Sequence, residues 1–350
     1  MTAASGQPGV GAIIEVRNLT VQYEDAYNAP LVAVRQVDFD LRPGEILGIA
    51  GESGSGKSTL AYAVTRLIRH PGHITGGDVM FRNSDGSLLD VLNATRVQLQ
   101  RWRWVELAIV FQAAMNAMNP VANVGSQLTD VFEVHRPELN RSQRLERAEE
   151  LLQLVGIPTD RLRAYPHELS GGMRQRVMIA MALALDPRVV IFDEPTTALD
   201  VVVQRDILLR IVELQQRRSL SIIFITHDLG LLLEIADRIA VMYAGRIVEL
   251  GDAVQVAAEP AHPYTEGLLR SFPSVVGNRQ VLTGIPGFPP DLRALPPGCP
   301  FHPRCPIADR ICCESAPDLM PRGDRLVACL KRTSFDEKVV PQRATEASDE

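Results

Sequence analysis

The chain has 350 residues, of which 46% are apolar and 22% charged, with a formal net charge of −6. That length suits one large domain or two modest ones with a substantial core, and the composition is that of an ordinary soluble globular protein. With a sequence pI near 5.7, the chain lacks the basic face a general nucleic-acid binder needs to displace counterions, so no nucleic-acid partner is expected.

Met1 to Gly11 is small and polar, with no basic segment leading into an apolar one, so no signal peptide is expected. Apolar runs such as Val177 to Leu185 reach about half of the ~20 residues a membrane span needs. The expectation is a chain in the cytosol, or one held at a membrane through a partner. Ile13 to Val16 and Val32 to Leu41 are short β-rich runs, and Pro43-Gly44 turns into an apolar strand, Glu45 to Ala50. Glycine-rich sequence follows, then a helical pattern from Lys57. Asn83 to Gly86 is a turn between two expected strands. Residues 113 to about 168 read as helical and amphipathic, with charge-rich segments such as Arg141 to Glu150. Val189 to Phe192 and Ser221 to Ile225 are continuous apolar runs of the kind found in central parallel strands. Ala240 to Glu249 reads as a hairpin around Ala244-Gly245. From Gly251 the chain becomes Pro-rich, and residues 284 to 306 hold eight of the 24 prolines. That stretch is expected to be neither regular helix nor central strand. The polar tail, 336–350, is expected to be disordered.

Three motifs carry chemistry. Gly51-Glu52-Ser53-Gly54-Ser55-Gly56-Lys57-Ser58, with Thr59 next in the helix, fits G-x-x-x-x-G-K-[ST] between a strand and a helix. Its glycines let backbone N–H groups wrap phosphates at a helix N-terminus. Lys57 would reach the β- and γ-phosphates of ATP and Ser58 would ligate Mg²⁺. Val189-Val190-Ile191-Phe192-Asp193-Glu194 ends a buried strand in two carboxylates, where open α/β sheets bind ligands. Asp193 would hold Mg²⁺ and Glu194 would polarise an attacking water. Leu169-Ser170-Gly171-Gly172-Met173-Arg174-Gln175-Arg176 starts a helix with a capping serine and two glycines, a second phosphate-binding helix start or an ordinary N-cap. Taken singly, the bland alternatives are a glycine-rich turn, a solvated acidic strand end and a plain cap.

Together, in this order and spacing, the three resemble the ATP-binding-cassette ATPases. The resemblance implies roles for further residues: Gln112 as a Q-loop glutamine sensing the metal and the membrane partner, Ala198-Leu199-Asp200 as a D-loop, His227 as a switch histidine, and Tyr23 as an aromatic stacking on adenine. It implies a RecA-like α/β core with an antiparallel β part over 13–250 and a helical subdomain at about 113–168. It also implies head-to-tail pairing of two cassettes, so that Ser170 and Gly172 reach ATP held by the partner. One departure concerns coupling: Ala113-Ala114 follows Gln112 where many relatives carry an acidic residue and proline.

The C-terminal part, 251–335, resembles the oligopeptide and dipeptide importer branch. Glu259-Pro260-Ala261-His262-Pro263-Tyr264-Thr265, Leu268-Leu269, Ser271-Phe272-Pro273, Ile285-Pro286-Gly287-Phe288-Pro289-Pro290 and Gly298-Cys299-Pro300-Phe301-His302-Pro303-Arg304-Cys305-Pro306 carry that likeness. It implies a peripheral subunit on the cytoplasmic face of the membrane, working with two membrane-spanning permease subunits, a second cassette ATPase (a paralogue) and an extracytoplasmic substrate-binding protein. Di- or oligopeptides are the expected cargo. Nickel, glutathione or another small solute is the alternative within the branch, and a soluble cassette ATPase of DNA repair or translation is the alternative outside it. Cys299, Cys305, Cys312 and Cys329 leave three readings open: a [4Fe–4S] cluster, as in some members of the branch, a zinc site, or reduced thiols.

Overall fold

The computed structural model describes residues 11–25, 29–112, 117–196, 199–271 and 284–332. The tail 336–350, the departure at Ala113-Ala114, Ala198 of the expected D-loop and Phe272-Pro273 lie outside these residues.

The chain opens with β1 (Ile14–Tyr23) and β2 (Leu31–Leu41), followed by β3 (Ile46–Ala50), α1 (Lys57–Val64), β4 (Gly72–Arg82) and β5 (Leu88–Asp90). β1, β2, β4 and β5 form an antiparallel sheet in the order β2-β1-β4-β5. The turn between β4 and β5 closes where the sequence places it, with Gly86 N–H donating to Asn83 O. After α2 (Arg96–Trp102), β6 (Leu107–Val110) enters a second sheet. The span between β6 and the next strand is helical: α3 (Val124–His135), α4 (Arg141–Leu154), two 3-10 turns and α5 (Gly171–Ala182). Asn123 and Asn140 cap α3 and α4 by accepting a backbone N–H three residues on, which accounts for where both helices begin.

Next come β7 (Val189–Asp193), α6 (Val201–Arg218), β8 (Ser221–Thr226), α7 (Leu229–Ile235), β9 (Arg238–Tyr243) and β10 (Arg246–Asp252). Ala244 and Gly245 both take positive φ, as a two-residue hairpin turn between β9 and β10 requires. The second sheet runs β9-β3-β8-β7-β6 in parallel. Alternate residues of its strands face different apolar clusters. Leu47, Ile49, Val189 and Ile191 pack toward the antiparallel sheet with Val16, Phe39 and Phe81. Ile46, Ala50, Val190 and Phe192 pack toward the helices with Leu128, Leu152, Val177 and Ile207. Burying each such side chain contributes about 1.5–3 kcal/mol, so a sheet covered on both faces needs the continuous apolar strands seen in the sequence.

The last segment holds α8 (Ala253–Ala258), α9 (Pro263–Arg270), α10 (Arg310–Glu314) and the hairpin β11 (Met320–Arg322) and β12 (Arg325–Val327). Within the Pro-rich stretch the regular element is a 3-10 turn at His302–Arg304. The extension is not merely loop-rich: β12 pairs antiparallel with β10, so the hairpin lengthens the core sheet to eight strands. Tyr264, Leu268 and Phe301 belong to the same apolar cluster as the helices.

Candidate functional site

β3 delivers the loop 51–56 to the C-terminal edge of the parallel strands. Gly51, Gly54 and Gly56 take φ of 153°, 79° and 103°. Any Cβ at Gly51 would overlap Met242 O, and one at Gly56 would overlap Ala33 O. These two glycines are therefore required by space as well as by φ. Ser55 N–H donates to Glu52 O, and Ser55 O accepts from Gly245 N–H, tying the loop to the β9–β10 turn. Lys57 folds back over the loop, its Nζ donating to Gly51 O at 2.8 Å and Glu52 O at 2.9 Å. Burial pulls the Lys57 ammonium below its usual value, while the carboxylates of Glu194, Asp193 and Glu52 oppose that shift.

The two sheet-end motifs meet here. Ser58 Oγ donates to Asp193 Oδ1 at 2.9 Å. Asp193 is fully buried and its Oδ2 has no hydrogen-bond partner. Burial, reinforced by the neighbouring Glu194 charge, raises Asp193 to about 6. Glu194 follows with φ of 47°, an unfavourable backbone for a non-glycine residue that directs its carboxylate back across the strand ends. Its N–H donates to Ile225 O at 2.9 Å. Its Oε2 accepts from Gln112 Nε2 at 2.9 Å, and its Oε1 lies 3.5 Å from His227 Nδ1. The exposed Gln112 and His227, which the residues alone did not single out, thus converge on Glu194 from the ends of β6 and β8. Tyr23 lies at the end of β1 with its hydroxyl 3.3 Å from Thr59 Oγ1, at the start of α1.

The structure therefore joins Gln112, Asp193, Glu194 and His227 to the first turn of α1, which carries Lys57, Ser58 and Thr59. Ser170, Gly171, Gly172 and Asp200 sit elsewhere. Ser170 caps α5 by accepting from Met173 N–H at 3.3 Å, and Asp200 caps α6 by accepting from Val203 N–H at 3.0 Å. A Cβ at Gly172 would clash with Val203 Cγ1, so this glycine lets α5 and α6 approach.

A magnesium ion fits the donor set. An orphaned buried carboxylate oxygen beside a serine hydroxyl calls for a cation, and Ser58 and Asp193 supply oxygen donors of the kind Mg²⁺ takes, with Gln112 bonded to the adjoining Glu194.

The four cysteines all lie in the C-terminal segment. The turn at Gly298 and the bond from Cys299 N–H to Cys312 O, 2.8 Å, bring their segments together. The thiols lie close enough to feel one another's charge. Yet among the described residues no group of three or more His, Cys, Asp or Glu is arranged to hold a metal ion. Burial pushes the Cys299 thiol up to about 11 and raises Cys305 and Cys312 as well in the metal-free chain. The expected [4Fe–4S] cluster and the zinc alternative are not supported by this arrangement. His302 Nδ1 bonds Cys299 O at 3.0 Å, a loop contact.

What sequence reasoning missed is a set of residues from the C-terminal segment on the phosphate-type loop. Arg304 Nη1 and Nη2 donate to Glu52 Oε2 and Oε1 at 2.7 and 2.9 Å, and Tyr264 Oη accepts from Glu52 N–H at 2.8 Å. The available signal was an arginine in an otherwise Pro- and Cys-rich stretch.

Residues 34–197 match the family described as ABC transporter, and residues 248–312 match the C-terminal region of oligopeptide/dipeptide transporters. The chain is 43% identical to a dipeptide transport ATP-binding protein of Haemophilus influenzae, over 91% of this chain and 95% of that protein. It is 44% identical to an oligopeptide transport ATP-binding protein of Bacillus subtilis, over 90% of this chain and 87% of that protein. Among solved structures, a dimeric post-hydrolysis state of the ATP-binding cassette MJ0796 bound to ADP and Pi aligns with a TM-score of 0.61 and 26% identity, covering 69% of this chain and 98% of that one. The relatives are transport proteins, which does not favour a soluble cassette of DNA repair or translation. Among the described residues no helix is long and apolar enough to cross a membrane.

Proposed function

The chain belongs to the ABC transporter family, as an ATP-hydrolysing subunit that powers import of oligopeptides or dipeptides, and we propose that the linked set around Asp193 and Glu194 performs the hydrolysis. The supporting observation is the convergence of Lys57, Ser58, Asp193, Glu194, Gln112 and His227 on one edge of the parallel sheet. Loop 51–56 and Lys57 bind the triphosphate. Mg²⁺, held by Ser58 and Asp193 with Gln112, would neutralise phosphate charge when bound. Glu194 orients and polarises the attacking water, and His227 faces the γ-phosphate. Thr59 lies beside the phosphates, and Tyr23 stacks on the adenine. Binding geometry and fixed charge carry most of the rate, as befits phosphoryl transfer.

The helical subdomain, at about 113–168, is inserted between Gln112, which senses the membrane partner, and Ser170, and 13–250 is the cassette. Two cassettes pair head to tail, so Ser170, Gly171, Gly172 and Asp200 complete the partner's site from the starts of α5 and α6. The second cassette is a paralogue, and the pair docks on two permease subunits at the cytoplasmic face, fed by a substrate-binding protein. Affinity purification from gently solubilised membranes tests this assembly. Two multi-span proteins and a second cassette are the expected companions; recovery with ribosomal or DNA-repair proteins from the soluble fraction would overturn it.

A further inference from the structure

The C-terminal segment grips the nucleotide loop at one residue. Glu52 is held at three points. Its N–H donates to the buried Tyr264 hydroxyl at 2.8 Å, its carbonyl accepts from Lys57 Nζ at 2.9 Å, and its carboxylate takes both arms of the Arg304 guanidinium. Arg304 is itself fixed. Its side chain is 5% exposed, its Nε donates to Pro286 O at 2.9 Å, and it lies over the Tyr243 ring with Nη1 3.4 Å from the phenol oxygen. Tyr243 in turn packs against Tyr264 and Phe301, the three rings having centroids 4.5–5.4 Å apart. A two-armed pair on so rigid a mount is far more directional than a surface ion pair.

Glu52 places a negative charge in a loop whose task is to receive a triphosphate. Unneutralised, that carboxylate would repel the phosphates and draw Lys57 toward itself. From this geometry we infer that Arg304 is a positioning residue for ATP binding: by neutralising and orienting Glu52 it keeps the loop open to phosphate and Lys57 directed along it. The inference rests on the nucleotide role given to loop 51–56. It assigns a purpose to the C-terminal segment besides any contact with partners, because the segment completes the loop from behind.

The test uses the full chain in its assembled transporter and measures KM for ATP and kcat separately. Arg304→Met should raise KM about tenfold or more, the loss of a charge-assisted pair, with kcat within about threefold of wild type. Glu52→Gln combined with Arg304→Met removes the uncompensated charge and should recover most of the lost affinity. An unchanged KM in Arg304→Met overturns the inference. So does a double variant as impaired as the single one, which would mark a purely structural contact. If Arg304→Met does not fold, Arg304→Lys keeps the charge without the fork and should give an intermediate KM; a wild-type KM there also overturns it. A wild-type transporter that turns over no ATP would instead defeat the nucleotide reading itself.

Discussion

Ser58 Oγ donates to Asp193 Oδ1 at 2.9 Å, joining residues 135 apart in the chain and leaving Asp193 Oδ2 buried and unpaired. Because burial raises Asp193 to about 6, a cation and a proton compete for the same carboxylate. The requirement for Mg²⁺ in ATP turnover should therefore weaken in affinity as pH falls from about 8 to about 5. A Mg²⁺ titration of turnover at several pH values checks this, and a half-saturating concentration that does not change with pH would contradict it. In the metal-free chain the folded state holds its Asp193 proton to higher pH than the unfolded state does. Stability from this group accordingly falls as pH rises from about 4 to about 6, and Asp193→Asn should remove that slope.

Glu194 is oriented by Gln112 and His227. Glu194→Gln keeps size and hydrogen bonding but loses the charge that polarises water. ATP turnover should fall by roughly 10²–10⁴-fold while equilibrium nucleotide binding stays within a few-fold of wild type. Comparable losses in both measurements would move Glu194 from chemistry to binding.

Gly51 and Gly56 have no room for a side chain against Met242 O and Ala33 O. Alanine at either position should displace the loop and abolish measurable nucleotide binding, with a loss of stability of about 1–3 kcal/mol. Alanine at Gly54, where nothing lies within 4 Å of the added carbon, meets only the φ penalty and should be milder. A thermal melt and a nucleotide titration on the three variants rank them; equal effects would mean that space is not the constraint.

His262 is buried, with its Nδ1 accepting from Tyr264 N–H at 3.0 Å. Burial lowers its pKa to about 3. Its folded value lies below the unfolded one, so the stability it contributes is present above about pH 6.5 and is lost as pH falls toward 3. His262→Gln should flatten that acid slope. Denaturant melts across this range, in an Asp193→Asn background that removes the opposing term, measure it directly.

Much of the fold was legible because its strands are short apolar runs that only a covered sheet explains. The nucleotide loop was legible because its glycines and Lys57 are adjacent in sequence. Gln112 and His227 were not separable from ordinary surface residues without the family resemblance, since their meaning comes from Glu194, which reaches them only through the parallel pairing of β6, β7 and β8. The pairing of β12 with β10 rests on two register positions, too little to mark a strand in sequence. The cysteines were legible as a set: their spacing suggested a common site, and Cys299, Cys305, Cys312 and Cys329 lie close enough to feel one another's charge, although among the described residues no group of three or more such ligands is arranged to hold a metal ion. Arg304 and Glu52 are 252 residues apart, and no local pattern announces their pairing.

The central claim is that ATP hydrolysis by this chain drives peptide uptake. The direct measurement is uptake of a labelled dipeptide and a labelled oligopeptide into cells whose own copy of this chain is replaced by wild type or Glu194→Gln. The account predicts ATP-dependent uptake of at least one peptide with wild type and its loss with Glu194→Gln at equal protein level. Undiminished uptake with Glu194→Gln would contradict it.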